Sequence, residues 1–353
     1  MRTYKSKSVV GAILTFCVAI VAYYFSQSTT QFSLSSLNIP PNLTFFRNIT
    51  SAMASKNMSR SVVKKVLSIE QSEGDGARVR RSIGTTKLKN LTPFLMLDHF
   101  HVSEGAGFPD HPHRGQATVT YMLEGSSRHE DSAGHKGTIE AGGVQWMTAG
   151  KGIIHAEMPV HAPGVPEPRG LQLWVDLPKQ YKMVDPSYQE LGPNEIPTAY
   201  PEGKDGPTRI KVISGKTYGV ESPVRSLGGC WYFHAIFDKK GHSIFQEIPT
   251  GWTSFLYILK GSLSIGDNEA KHDAFHTLVL SSDNGQDGVK ITAAEDRTEL
   301  ILVAGEPLDQ PVVQYGPFVM TSREEIQQTF IDYQTGRNGF EKARHWKSEI
   351  GGL

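Results

Sequence analysis

Cysteine is nearly missing: the 353-residue chain has two, Cys17 and Cys230, far apart in sequence. That excludes a disulfide framework and a cysteine-built zinc site, so any metal must be held by histidine and carboxylate. Net charge is missing too, with 36 Lys and Arg against 36 Asp and Glu. No excess positive field is available for sequence-independent nucleic-acid binding, which leaves small molecules and proteins as partners. Acidic residues are absent before Glu70, and residues 8 to 46 carry no charge of either sign. What the chain has in quantity is glycine and proline, 35 and 20 residues, a mixture suited to many short strands joined by tight turns.

The uncharged start is not globular in composition. Residues 9 to 25 (VVGAILTFCVAIVAYYF) form a 17-residue apolar run behind Arg2, Lys5 and Lys7. A spanning helix typically needs about 20 residues, so the run is at the short limit. An uncleaved anchor fits, with the cations keeping the N-terminus cytoplasmic; Asn42, Asn48, Asn57 and Asn90, each in an Asn-x-Ser/Thr triplet, would then become glycosylation acceptors. The acid-free, Ser-rich composition also fits an organelle transit segment. Initiation at Met53 or Met58 would leave a chain without the segment. In the first two cases residues 1 to 57 act as a membrane anchor or address rather than as part of the fold.

From about Ser59 onward, period-two alternation dominates. In residues 171 to 177 (LQLWVDL) the odd positions are aliphatic and the even ones are Gln172, Trp174 and Asp176, one apolar and one polar-bearing face of a strand. Similar runs cover 117 to 123, 209 to 213, 230 to 237, 253 to 259 and 299 to 303, separated by Gly-containing turns. Such spacing reads as all-β, a barrel or sandwich. Residues 121 to 125 (YMLEG) and 257 to 261 (YILKG) echo one another at an offset of 136, so two copies of one β unit are expected. The boundary falls within 201 to 207, giving lobes 58 to 200 and 201 to 353. Only the end reads as helical: Ser322 and Glu325 form a capping box, Gly336 is a stop, and 340 to 350 is a second short amphipathic piece.

Eight of the 13 histidines lie between residues 99 and 161, which confines any metal to the first lobe. His111 and His113 stand at i and i+2, on one face of an extended segment. His155 and Glu157 repeat the device. If both segments line one small barrel, three imidazoles and a carboxylate converge, a set that suits several divalent metals and leaves positions open. His99 and His101 are a rival pair by spacing. His129 and His135 lie in a polar, Gly-containing run and read as solvated.

The chain is similar to the pirin family in residues 108 to 115 (FPDHPHRG), 121 to 125, 145 to 159 (QWMTAGKGIIHAEMP) and 170 to 175 (GLQLWV). It also matches in 70 to 74, 77 to 84, 305 to 307 and 316 to 320. The resemblance starts near Ser59 and runs to the C-terminus. It implies a bicupin, two tandem antiparallel jelly-roll barrels with a short helical tail, and one iron (Fe2+/Fe3+) in the N-terminal barrel. The matching ligands are His111, His113, His155 and Glu157; His99 and His101 fall where the family binds no metal. Ala117 stands where cupins often carry a Glu, so Glu157 must supply the carboxylate. The offset of 136 sets Glu247 and Pro249 opposite His111 and His113, so the second barrel is expected to bind no metal.

Two functions follow from the resemblance. One is a quercetin 2,3-dioxygenase, in which a flavonol bound as its oxyanion reacts with O2 and loses carbon monoxide; Glu157 is then the catalytic base, and Phe108, Met122 and Trp146 wall a planar phenol. The other is a non-catalytic, iron- and redox-dependent nuclear co-regulator that binds transcription-related proteins, with Arg78, Arg80 and Arg81 as a local basic patch. By the same resemblance the core belongs in nucleus and cytoplasm.

Overall fold

The computed structural model describes residues 57–73, 76–161, 163–268, 270–342 and 344–351. The apolar run at 9 to 25, and the sequons at Asn42 and Asn48, lie outside them. Among the described residues no helix is long and apolar enough to cross a membrane.

Each lobe is a seven-stranded sheet facing a four-stranded one. In the first lobe the large sheet runs Ser187–Leu191, Val144–Thr148, Gln116–Glu124, Arg169–Asp176, Phe94–His101, Ala77–Ile83, Ile69–Glu73. Its small sheet runs Phe108–His113, Ile153–Pro159, Ser126–Asp131, Lys136–Glu140. The second lobe repeats this order, with Thr253–Lys260, Thr298–Gly305 and Cys230–Phe237 at the centre of its large sheet. All the pairings between these strands are antiparallel. The fold is thus the expected all-β bicupin. The repeated Gly125 and Gly261 hold equivalent turns with φ of 67° and 71°, a left-handed conformation that favours glycine.

The alternation has a specific outcome here. Odd positions of the central first-lobe strands, such as Val119, Tyr121, Leu171 and Leu173, enter one large core with Tyr232, Phe255, Tyr257 and Ile301 of the second lobe. Phe94 meets Phe255 edge to face at 5.2 Å, and the Tyr121 hydroxyl lies 2.9 Å from His234 Nδ1. Even positions face the barrel lumen. Both faces are therefore buried, and Gln116–Glu124 is covered over its first seven residues. In the second barrel the lumen is packed with apolar side chains, among them Phe233, Phe237, Ile244, Leu256 and Leu302.

Chain order and lobe membership differ at both ends. Val62–Leu67 pairs with His276–Leu280, so a strand early in sequence closes the second lobe's large sheet. Just before it, Arg60 is fully buried, its guanidinium donating to the carbonyls of Trp252 and Pro249 at 2.6 and 2.8 Å and to Ser254 Oγ at 2.9 Å. Removing it orphans buried acceptors, each worth about 1–3 kcal/mol. Arg60→Ala is accordingly expected to lower unfolding stability by about 2–4 kcal/mol in a denaturant titration, whereas a chain beginning at Met58 keeps these bonds and matches the full chain.

The helix Arg323–Thr335 has the expected capping box, with Ser322 accepting from the Glu325 amide, and ends at Gly336 with φ 66°. Residues 340–342 and 344–350 form turns and bends rather than the expected second amphipathic piece. They are held by tertiary anchors: Phe340 and Trp346 join Ile154, Phe318 and Ile326 in one cluster, and Ser348 Oγ donates to Asp110 Oδ1 at 2.6 Å. The tail therefore lies against the first barrel.

Candidate metal centre

The two histidine-bearing segments are adjacent strands. His155 is in register with His111, and Ile153 with His113, across an antiparallel pair with a bulge between His155 and Glu157. The ligand nitrogens of His111, His113 and His155 lie within 4.8 Å of one another, with ring centroids 4.4–4.9 Å apart. This is the one such group of three found among the described residues.

The polar environment of these rings fits a cation. His111 Nδ1 lies 2.8 Å from the Pro109 carbonyl, to which it donates, leaving Nε2 as a lone pair. That lone pair is 3.0 Å from His155 Nε2, while the buried Nδ1 of His155 has no partner. If His155 carries its proton on Nε2, Nδ1 is an orphaned acceptor; with the proton on Nδ1, two lone pairs face each other. A cation between the rings relieves the second arrangement. The Gln116 side-chain amide lies 2.8 Å from His113 Nδ1 and its Oε1 has no other partner; with that oxygen accepting from Nδ1–H, Nε2 is the lone pair turned to the cluster, and such outer partners orient metal-binding imidazoles. Burial first, and neighbouring imidazoles second, push His113 and His155 well below the ordinary imidazole range, so both are neutral and able to donate lone pairs at pH 7.

Glu157 lies on the same strand, outside that triad. It is buried; Oε1 accepts from Thr120 Oγ1 at 2.8 Å and Oε2 from Gln172 Nε2 at 3.0 Å. Glu157, His111 and His113 line one cavity of about 800 Å³. Its walls include Phe100, Phe108 and Trp174, and its rim carries Glu73, Arg81 and Asp98. Arg81 forks onto Asp98 at 2.6 and 2.8 Å and reaches Glu73 at 2.8 Å. Gly115 follows the His-x-His segment with φ 79°, and a Cβ there would stand 2.0 Å from the Val319 carbonyl.

Several expectations are corrected. Trp146 is not a wall: it pairs with Val119 and shares that residue's face, inside the core between the lobes. Met122 lies behind the wall, buried with Val79, Phe100 and Ile139. Trp174 takes the place, 5.1 Å from the His113 ring. Its shared parity with Gln172 and Asp176 was the available signal. His129 is buried, not solvated, because 126 to 131 is a strand whose alternate residues face inward; its Nε2 lies 2.9 Å from Glu190. His135 is exposed. His99 and His101 sit apart from the triad, near Tyr257 and Glu167 respectively. The three arginines do not form one patch: Arg81 faces the cavity, and Arg78 and Arg80 face the cleft between the lobes.

The family model described as Pirin matches residues 76–175, and the Pirin C-terminal cupin domain matches residues 235–339. Human Pirin is 50% identical over 298 residues, covering 83% of this chain and 99% of that protein. A Pirin-like protein of Solanum lycopersicum is 49% identical over 291 residues, covering 82% and 97%. Among solved structures, a quercetin 2,3-dioxygenase from Acinetobacter baumannii superposes with a TM-score of 0.72 at 30% identity, over 79% of this chain and 98% of that one. With a three-histidine centre in a bicupin, two matching domain models and relatives at half identity over nearly their full lengths, the chain belongs to the pirin family.

Proposed function

We propose that this protein is an iron-dependent flavonol dioxygenase of the quercetin 2,3-dioxygenase type, with one iron per chain held by His111, His113, His155 and Glu157 in the first barrel. The carrying observation is the cluster of His111, His113 and His155 beside a buried carboxylate, Glu157, which with His111 and His113 lines a cavity with aromatic walls. The solved dioxygenase at 30% identity supports the same reading. The bound metal supplies Lewis-acid polarisation of a substrate oxygen and access to O2 chemistry.

The remaining work falls to the chain. Phe100, Phe108 and Trp174 give a planar phenol flat apolar surface and exclude water around it. Glu157 is the group placed to take the phenolic proton on a carboxylate oxygen, and Thr120 and Gln172 hold it in one orientation. Gln116, with its amide oxygen on Nδ1–H, and the Pro109 carbonyl hold the rings of His113 and His111 in the tautomers that keep their lone pairs directed inward.

The test is O2 uptake by iron-loaded protein with quercetin, beside elemental analysis. Stoichiometric iron and flavonol-dependent uptake are expected, and a His111→Ala, His113→Ala protein is expected to hold no stoichiometric iron because two of four ligands are gone. Iron-loaded protein that consumes no O2 with quercetin or another planar phenol would overturn the catalytic reading and favour the co-regulator.

A further inference from the structure

A second cavity, of about 190 Å³, lies on the opposite face of the first-lobe sheet from the metal centre and opens between the lobes. Strand register builds it in two rows. Arg78 and Arg169 both stand opposite His101, and Arg80 stands opposite His99, with Glu70 on its other side. Three guanidiniums and two imidazoles share this surface with one lining carboxylate. Glu70 is spent on Arg78 at 2.6 Å and Arg80 at 3.2 Å. Among the described residues Arg169 pairs with Glu124 alone, at 3.9 Å.

The cavity is built, not a chance cluster on a surface. Its second-lobe wall is Phe275, whose φ of 64° is a costly conformation for an aromatic residue. That conformation sets the ring 4.5 Å below the Arg80 guanidinium, which stiffens the cation. His99 Nδ1 lies 3.2 Å from the Tyr257 hydroxyl; with the hydroxyl donating, the far ring nitrogen is left as an N–H donor. Burial, then Arg169 and Arg80, depress His99 to about 4, so the ring stays neutral.

We infer that this cleft is an oxyanion site for a phosphate group, free or as a small monoester, held by Arg80, Arg169 and Arg78 with the Phe275 ring beside it. Planar guanidiniums suit bidentate contacts to phosphate oxygens, and the volume admits that group with a few further atoms. The site is independent of the metal centre.

Calorimetric titration of the full chain at low salt, with inorganic phosphate and with phenyl phosphate, tests this. Saturable binding of one ligand per chain is expected. Tighter binding of phenyl phosphate would identify the monoester as the source and equal binding the free anion; both support the site. An Arg80→Gln, Arg169→Gln protein, with folding checked by circular dichroism and metal content, is expected to bind at least tenfold more weakly, since each charge-assisted contact carries roughly a tenfold or larger factor. Glu70→Gln removes the competing carboxylate and is expected to tighten binding several-fold. His111→Ala should leave the affinity unchanged. Absence of saturable binding up to roughly 10 mM, unaltered affinity in the double arginine variant, or loss of binding in His111→Ala would overturn the inference.

Discussion

Glu157→Gln is expected to retain iron near one per chain while losing about 10²–10⁴-fold of flavonol-dependent O2 uptake. The substitution preserves shape and most of the local bonding. Thr120 can still donate to the carbonyl oxygen of glutamine, and the Gln172 amide can turn its oxygen toward the new NH2 group, so both positions now bonded to Glu157 keep a partner. The capacity to accept a proton is lost. A carbonyl oxygen remains to coordinate, so metal content and rate come apart if the carboxylate acts as a base. Metal analysis and an oxygen electrode on the same preparation decide the matter. An equal fall in both would make Glu157 a ligand alone.

Arg114→Ala is expected to cost about 3–5 kcal/mol of stability, the range for breaking a buried ion pair from one side, and to lower metal content with it. Arg114 is 1% exposed and Asp332 2% exposed. The guanidinium donates to Asp332 Oδ2 at 2.8 Å, Thr329 Oγ1 at 3.1 Å and the carbonyls of Lys151 and Asn338 at 2.6 Å each. It also covers the Phe340 ring at 4.6 Å. Burial works to raise the Asp332 carboxyl, but Arg114, Gln328 and Asn338 hold it below the usual carboxylate range. Without Arg114 that carboxylate keeps two neutral donors and no counter-charge. The tail loses its main polar attachment to the first barrel, and the strand end next to His113 loses its brace. Denaturant midpoints, proteolysis of the tail and metal analysis should move together. Arg114→Lys restores charge without the planar fork, so only part of the loss should return. A cost below about 1 kcal/mol, the range of exposed pairs, would show the clamp to be dispensable.

The candidate site was legible because its parts are local. A period of two puts residues at i and i+2 on one face of a strand whatever the rest of the chain does, so His111 with His113, and His155 with Glu157, were readable as pairs. Ser322, Glu325 and Gly336 bound a helix by bonds spanning a few residues, and these too were readable. Parity alone says that two faces differ, without saying what each will meet.

The all-β alternation, the duplicated unit, the paired histidine segments and the C-terminal helix follow from the order of residues along the chain. Tertiary structure decided that the odd faces of the central strands meet the other lobe, so that Trp146 is core and Trp174 wall. It also decided that Arg81 faces one cavity and Arg78 and Arg80 another, that His129 is covered, that residues 62 to 67 complete the distant sheet and that the tail closes on the first barrel. The physical reason is range: backbone geometry assigns a face from neighbours two residues away, whereas the medium on that face depends on which sheet packs there, through contacts as far apart as the 218 residues between Arg114 and Asp332.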